Sequence, residues 1–255
     1  MFLAIDVGNT TISLGILKGK KVLKRYFIES NLSLPLLRSQ LKRVFLDCKK
    51  YPKLEKSLIC SVVPSLNKPI EALLKKILNI KASIVGRDIK VPIKNNYRNP
   101  NHVGQDRLVG AYAAKCLYGS PLIIIDFGTA ITFDIISAKG EYEGGMILPG
   151  MRLSAESLFQ KTALLPQIHH IKKPHSVVGK TTEESILSGL FYGYGTMCSG
   201  LIDLLSRRMK LKPKVIATGG HADVMKNFIS SRITTIDPDL VFKGLALLRL
   251  KKSFS

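Results

Sequence analysis

Near its amino terminus the chain reads AIDVGNTTISLG (residues 4–15), and near its middle it reads IIDFGTAITFD (residues 124–134). Each stretch is an apolar strand that ends in aspartate, followed by one spacer residue, a glycine, small hydroxyl or amide residues and a second β-branched strand. Each then continues through a lysine-glycine turn, at residues 18–20 and 139–140, into a third strand. The sequence therefore predicts one three-strand unit that is used twice.

Alternating helices and strands follow the three strands in each half. The first half predicts a helix from the spacing of residues 34–45, a strand over 57–63 and a helix over 68–77. In the second half the sequence predicts one long amphipathic helix, which is marked by Ile186, Leu190, Tyr194, Met197, Leu201 and Leu205. A strand over 214–218, a helix from His221 and a closing helix over 240–250 are predicted after it. We therefore predict an α/β protein with two duplicated domains, residues 1–117 and 118–255, each a mixed β-sheet flanked by helices.

The two Asp-x-Gly turns have the chemistry of phosphate-binding loops. Glycine lets the backbone turn tightly and approach a phosphate, and backbone N–H groups with the side chains of Asn9, Thr10 and Thr129 supply donors. The preceding aspartate can hold a cation that offsets phosphoryl charge. The alternative is a pair of ordinary β-turns. The paired hairpins resemble the acetate and sugar kinase, Hsp70 and actin superfamily, and this resemblance implies ribonuclease H-like, actin-like ATPase domains with nucleotide bound between them.

Composition and charge limit the other classes of function. The 255 residues are 45% hydrophobic, and 39 basic against 18 acidic residues give a net charge of +21. This charge suggests a nucleic-acid partner, but the lysines are scattered in short pairs, which favours exposed lysine-rich faces and small anionic substrates. No stretch approaches a membrane span, the four cysteines form no CxxC pair, and Gly179-Lys180-Thr181 is not a P-loop because Pro174 stands where that motif requires glycine.

The segment YRNPNHVGQDR (residues 97–107) is the candidate acceptor site. It is a loop rich in proline and asparagine that leads into a helix starting near Gln105, with Asp106 in the first turn. A kinase needs a carboxylate to orient and deprotonate the attacking hydroxyl, and Asp106 could serve. The alternative is a helix-start carboxylate that only complements the helix dipole. Arg107 could pair with a substrate carboxylate or form a surface ion pair.

Seven blocks in order resemble the type III pantothenate kinase family, which includes proteins named Bvg accessory factor. They are DVGNT (6–10), the block from Tyr97 to Arg107, DFGTAITFD (126–134), GGMILPGMRLSAESL (144–158), TALLP (162–166), TTEESILSGL (181–190) and ATGG (217–220). The resemblance runs nearly from end to end. It implies transfer of the ATP γ-phosphoryl group to the terminal hydroxyl of pantothenate, which is the first step of coenzyme A synthesis.

The resemblance also implies roles for individual residues. Asp106 looks like the catalytic base, and Asp126 looks like the ligand of a monovalent cation, K⁺ or NH₄⁺. The expected ATP-binding residues are Asp6, Val7, Gly8, Asn9, Thr10, Thr11, Ile12, Ser13 and Thr129, with Mg²⁺ accompanying ATP. The expected pantothenate-binding residues are Tyr97, Gly104, Gln105, Asp106, Arg107 and Thr182, with Thr181 as the alternative to Thr182. A cytoplasmic homodimer with no membrane partner and no specific nucleic-acid partner is implied as well.

Three positions depart from the family pattern. Gln105 stands where the family favours alanine, Leu108 where it often has tryptophan, and Ile131 where threonine is usual. None of these changes removes a charged or donor group, so they bear on substrate affinity more than on activity. Two other functions stay open from the sequence: a regulator that binds nucleic acid, and a kinase of the same fold with another metabolite as its acceptor.

Overall fold

The computed structural model describes residues 1–51, 54–229 and 232–252, and within it the chain divides into two units. One unit consists of Met1–Leu117 and Asp239–Ser255, and the other of Tyr118–Pro238. The division after residue 117 lies where the sequence predicts a boundary. The sequence predicts that residues 239–255 belong to the second domain, whereas the structure groups them with the first unit.

The first unit is built on a mixed sheet. Its elements up to the division are β1 (Phe2–Val7), β2 (Thr11–Lys18), β3 (Lys21–Glu29), α1 (Leu34–Cys48), β4 (Lys56–Ser61), α2 (Pro64–Leu78), β5 (Ala82–Ile84) and α3 (Gln105–Tyr118). Among the described residues the strand order is β3-β2-β1-β4-β5, with β1, β2 and β3 antiparallel and β4 and β5 parallel to β1. One face of β1 packs Leu3 and Ile5 into a core with α1 and α2.

The second unit repeats the strand order of the first. Its elements are β6 (Leu122–Phe127), β7 (Ala130–Ile136), β8 (Tyr142–Pro149), α4 (Met151–Lys161), α5 (Thr182–Ser188), α6 (Tyr194–Met209), β9 (Lys214–Thr218), α7 (Ala222–Met225) and β10 (Thr235–Ile236). The described strands are ordered β10-β9-β6-β7-β8, and β6, β7 and β8 are antiparallel while β9 and β10 run parallel to β6 and β9. The predicted fold of two duplicated units with mixed sheets is confirmed.

The C-terminal helix α8 (Leu240–Lys252) belongs to the first unit because it covers the second face of that unit's sheet. Phe242, Leu245 and Leu248 are buried in one cluster with Phe2 and Ala4 of β1. Without α8 these apolar strand residues would lose much of their cover, and burial of apolar area is the main stabilising contribution to folding.

Two predicted elements have different bounds in the structure. The predicted strand over 57–63 ends earlier, at Ser61, and Pro64 begins α2 because the fixed φ of proline suits a first helical turn. The single long helix predicted from residue 186 is instead α5, a π-helical segment at Gly189–Gly193 and α6. The short edge strands β5 and β10 are not predicted from the sequence. No helix among the described residues is long and apolar enough to span a membrane.

Candidate active site

The first predicted phosphate turn connects β1 to β2 and is held by the residue that follows β3. Gly8 N donates to Thr11 O across the turn at 3.0 Å. Ser30 donates from its N–H to Thr10 O at 2.9 Å and from its hydroxyl to Gly8 O at 2.6 Å. Asn9 at the tip is exposed. Ser30 is not predicted from the sequence; a hydroxyl directly after the third strand is the local signal that could have pointed to it.

The second predicted turn, between β6 and β7, is held in the same way by the residue after β8. Gly128 N donates to Ala130 O at 3.2 Å, and Gly150 N donates to Thr129 O at 3.0 Å. A Cβ atom at residue 150 would overlap the carbonyl oxygens of Gly128 and Thr129, so this close approach of two backbones requires glycine. The side chain of Thr129 is exposed at the tip.

The two turns occupy equivalent places but differ by one residue in length. Residues 1–10 and residues 121–130 have the same sequence of buried, half-buried and exposed positions, which places Asp6 with Asp126 and Gly8 with Gly128. In the first hairpin Val7 pairs with Ile12, whereas in the second Phe127 pairs with Ile131, four residues on. The shorter second turn explains why Thr129 directly follows Gly128, whereas Thr10 is two residues after Gly8.

Not every residue of the first motif can present a side chain to a ligand. Val7 and Ile12 are buried in the core, so only their backbone atoms are available. Asp6, Thr11 and Ser13 are half-buried, and Asp6 faces Ser13 across the β1–β2 ladder. The polar side chains of this motif therefore lie at the end of β1 and the start of β2.

The structure brings Asp6 and Asp106 close to the same thiol. Cys60 of β4 is paired in register with Asp6 of β1. Burial raises the pKa of the Cys60 thiol well above its usual value, and the negative charges of Asp6 and Asp106 raise it further. A Cβ atom at Gly104 would collide with Asp106 and lie 3.7 Å from Val62, and Val62 N donates to Val7 O at 3.0 Å, so the predicted base lies close to the predicted nucleotide turn within the first unit.

Asp106 itself lies in the first turn of α3, and its surroundings favour the protonated form. Burial raises the pKa of the Asp106 carboxyl, and the hydrogen bond from Arg107 N to Oδ1, at 2.8 Å, opposes that rise together with the positive charge of Arg107. A Cβ atom at Gly104 would collide with Oδ1, so the carboxylate lies directly against the glycine backbone. A carboxylate that gains a proton more readily than usual suits the role of a general base.

The loop before α3 has an ordered shape. Asn95 bonds to two other residues of this loop: its side-chain oxygen accepts from Tyr97 N at 3.0 Å, and its side-chain nitrogen donates to Pro100 O at 3.2 Å. The ring of Tyr97 is 38% exposed. Gln105 lies over Gly86, where a Cβ atom would stand 2.9 Å from the Gln105 Cδ atom. Asn95 and Gly86 are not predicted from the sequence, since their contacts cross the loop.

In the second unit, Asp126 at the end of β6 lies against the Gly219 turn. Gly219 has a φ of +89°, and a Cβ atom there would collide with Asp126 Oδ1 and lie 2.7 Å from the backbone N and C of Phe127. His221 N donates to Phe127 O at 3.2 Å, which joins the same two segments. Within the described residues, no group of three or more His, Cys, Asp and Glu side chains could hold a metal ion.

Thr181 and Thr182 have separate positions. Thr181 caps α5, since its hydroxyl accepts from Glu184 N at 3.2 Å. Thr182 lies in the first turn of α5 and lines a groove of about 340 Å³ whose other walls are mainly apolar, formed by Leu158, Leu165, Ser185, Ile186, Gly189 and Leu190. The capping bond occupies Thr181, which leaves Thr182 as the better candidate for a ligand contact.

Solved structures with a similar fold include kinases. A Baf family transcriptional activator from Campylobacter jejuni superposes with a TM-score of 0.62 and 18% identity over 99% of this chain and 100% of its own. An inorganic polyphosphate/ATP-glucomannokinase from Arthrobacter sp. strain KM gives a TM-score of 0.52 and 16% identity over 98% of each chain. At these identities the similarity supports the fold alone.

Sequence relatives and a family model identify the family. The model for type III pantothenate kinase matches residues 2–204. A type III pantothenate kinase of Persephonella marina is 43% identical over 228 residues, which are 88% of this chain and 89% of that protein. Another, from a Sulfurihydrogenibium species, is 38% identical over 97% of this chain and 99% of its own length. Matches of this identity and coverage, together with the paired turns and Asp106, show that the chain belongs to the type III pantothenate kinase family.

Proposed function

We propose that this protein transfers the γ-phosphoryl group of ATP to the terminal hydroxyl of pantothenate, forming 4'-phosphopantothenate for coenzyme A synthesis. The observation that carries the proposal is the position of Asp106 beside the first turn: it lies against Gly104, a Cβ atom at Gly104 would lie 3.7 Å from Val62, and Val62 N donates to Val7 O at 3.0 Å. A kinase needs its base beside its nucleotide site, and here both lie in one unit. Family membership supports this reaction and does not favour a nucleic-acid-binding regulator.

The nucleotide role is assigned to the two turns. In the first unit it belongs to residues 6–13, with the backbone atoms of Val7, Gly8 and Ile12 and the polar side chains of the others, and in the second unit to Thr129. Both tips are exposed, and both are braced by hydrogen bonds from the residue after the third strand. A braced turn presents backbone donors to a phosphate without reorganisation when the ligand binds.

Asp106 is the proposed catalytic base. It accepts the proton of the pantothenate hydroxyl while the hydroxyl oxygen bonds to the γ-phosphorus, and the bond from that phosphorus to the β–γ bridging oxygen breaks to release ADP. The raised pKa of Asp106 matches the carboxylate to this proton transfer, because burial makes the protonated form easier to reach.

The acceptor site is assigned to the loop before α3 and to the start of α5. Arg107 offers a guanidinium group to the carboxylate of pantothenate, and bidentate pairing of these groups gives orientation as well as attraction. Tyr97, Gly104 and Gln105 line the ordered loop, and Thr182 adds a hydroxyl beside an apolar groove.

Two cations accompany the proposed reaction, and the residues present suit them. Oxygen ligands are what Mg²⁺ prefers, and it commonly uses one or two carboxylates together with substrate phosphates. Asp6, with Thr10 and Ser13 nearby, offers such a set, and Asp126 is the proposed ligand of K⁺ or NH₄⁺. A cation bound with the nucleotide offsets the charge that develops on the transferring phosphoryl group.

The proposal also includes a homodimer that works in the cytoplasm. The second unit exposes several large apolar side chains, among them Ile147, Leu153, Leu158, Phe159 and Leu164. These side chains follow one another along the chain from β8 through α4 to residue 164, and a second copy is the partner proposed to cover them. The four cysteines are free thiols, in keeping with a reducing compartment. Light scattering on the purified protein measures the mass directly, and a monomer at micromolar concentration contradicts the dimer.

The decisive experiment measures ADP release with ATP and pantothenate, with and without K⁺ or NH₄⁺. Asp106→Asn is expected to lower kcat by about 100- to 10,000-fold, the range for loss of a general base, while binding of a non-hydrolysable ATP analogue is retained. Asp239→Asn is the control: Asp239 directly precedes α8 of the first unit and pairs with Arg25 at 2.6 Å, and its substitution is expected to keep the wild-type kcat.

Absence of turnover with pantothenate under every cation condition refutes the proposed reaction. Turnover with another hydroxyl-bearing metabolite in a panel of acceptors would move the function to that acceptor while keeping the nucleotide site. A fully active Asp106→Asn variant removes Asp106 from the role of base.

A further inference from the structure

Tyr194 is joined to the end of β8 by a short chain of hydrogen bonds. Its hydroxyl donates to Pro149 O at 2.7 Å, and Ser154 Oγ lies 2.7 Å from the same hydroxyl. A carbonyl oxygen can only accept, and a tyrosine hydroxyl has one hydrogen to give. Ser154 is therefore the donor to Tyr194, and the chain runs from Ser154 through Tyr194 to Pro149.

Pro149 lies beside the second phosphate turn. It is the last residue of β8, opposite Ala130, and it has no N–H group to give to the sheet. The next residue, Gly150, donates to Thr129 O and lies against the turn so closely that a Cβ atom would overlap it. The bond from Tyr194 anchors this strand end from outside the sheet.

Comparison of the two units shows what this anchor replaces. In the first unit Ser30 follows β3, and it braces the first turn through both its N–H and its hydroxyl. In the second unit the equivalent residue is Gly150, which has an N–H but no side chain. The second unit instead has a side-chain bond one residue earlier, from the Tyr194 hydroxyl to the Pro149 carbonyl at the end of β8.

The helix that carries Tyr194 is adapted to place it. The π-helical segment Gly189–Gly193 ends directly before Tyr194, and such segments add a residue to a helix and change the direction of the side chains that follow. The next residue, Gly195, packs on the backbone of Phe228, where a Cβ atom would collide with its carbonyl oxygen. The start of α6 is thus held firmly beside the end of β8.

We propose that Tyr194 is a positioning residue for the nucleotide, which acts through Pro149 and Gly150 on the Thr129 turn. This inference rests on the proposed role of Thr129 in binding ATP. It predicts that removing one hydroxyl group from Tyr194 weakens the interaction with ATP and leaves the interaction with pantothenate unchanged.

The test compares steady-state constants for Tyr194→Phe and for Tyr192→Phe. Tyr192 is a matched control, because its ring packs on Phe228 at 4.9 Å while its hydroxyl makes no hydrogen bond within the described residues. Loss of one or two hydrogen bonds corresponds to a rise of about three- to thirtyfold in KM for ATP in Tyr194→Phe. Ser154→Ala, which keeps the bond to Pro149, is expected to give a smaller rise, and Tyr192→Phe none.

A double-mutant cycle with Thr129→Ala separates positioning from general destabilisation. If Tyr194 acts through the turn, its substitution raises KM for ATP less in the Thr129→Ala background than in the wild type. An unchanged KM for ATP in Tyr194→Phe, an equal rise for both substrates, or full additivity with Thr129→Ala overturns the inference. A wild-type protein without ATP-dependent turnover refutes the proposed function itself, whereas an active wild type with an unaffected Tyr194→Phe refutes only the role of Tyr194.

Discussion

Gly219 offers a test of how tightly the second unit is packed around Asp126. Its φ is +89°, a region that side chains other than glycine rarely adopt, and a Cβ atom there would lie 2.7 Å from the backbone of Phe127. Gly119 of the same unit has a similar φ of +84° but nothing within 4 Å of its Cβ position. Gly220 has neither restriction. Alanine at these three positions separates backbone strain from steric overlap.

The expected magnitudes follow from these contacts. Gly119→Ala adds only the strain of a left-handed backbone and is expected to lower the free energy of unfolding by about 1–2 kcal/mol. Gly219→Ala adds to this strain the overlap with Phe127, whose backbone lies in a strand and moves at a cost of about 1–3 kcal/mol, for a sum of about 2–5 kcal/mol. Gly220→Ala adds no strain and no overlap. It restricts the unfolded chain, so the free energy of unfolding is expected to stay within about 0.5 kcal/mol of the wild-type value or to rise slightly.

Urea denaturation of the three variants measures these differences, and the kinase assay measures their consequence for the site. Because the overlap displaces the residue next to Asp126, Gly219→Ala is expected to lower turnover by about tenfold or more, while the other two variants keep it. The reasoning is refuted if Gly219→Ala destabilises the protein no more than Gly119→Ala does, since the overlap would then have no cost.

Three further predictions concern named side chains. The folded pKa of Asp106 is raised above 3.8, so its favourable contribution to stability is complete below that value and is lost as pH rises through the folded pKa. Asp106→Asn is therefore expected to be more stable than the wild type at pH 7 and equally stable in acid; urea titrations measure this, and a variant less stable at pH 7 contradicts it. The activity of the wild type, measured as kcat/KM, is expected to fall on the acid side at a pH higher than that typical of an ordinary carboxyl, which a pH–rate profile checks. Tyr142→Phe removes a buried hydrogen bond of 2.7 Å to Asp134 Oδ1 and is expected to lower the free energy of unfolding by about 1.5–3 kcal/mol, measured by urea denaturation. A denaturation midpoint equal to that of Tyr192→Phe contradicts this prediction. Asp126→Asn is expected to weaken activation by K⁺ or NH₄⁺, measured as the cation concentration for half-maximal turnover, and an unchanged activation curve assigns the cation elsewhere.

Local patterns in the sequence determined the repeated part of this protein. The strand, Asp-x-Gly turn and second strand are encoded by neighbouring residues, because alternating burial and turn chemistry act within a few positions. The duplicated sheets and the start of α3 at Gln105 are therefore predicted from the sequence and confirmed by the structure. The order of short sequence blocks along the chain was also enough to identify the family, because it does not depend on the fold.

Other features depend on contacts between residues far apart in the chain, which no local pattern encodes. The place of α8 in the first unit follows from the burial of Phe242 against β1, and the raised pKa of Asp106 follows from its burial. The closeness of Gly219 to Asp126 and the bond from Tyr194 to Pro149 join segments that only the folded sheet brings together. The sequence by itself predicted which groups handle a phosphate, and the tertiary structure decided how they are braced, because bracing is a matter of packing between elements and not of order along the chain.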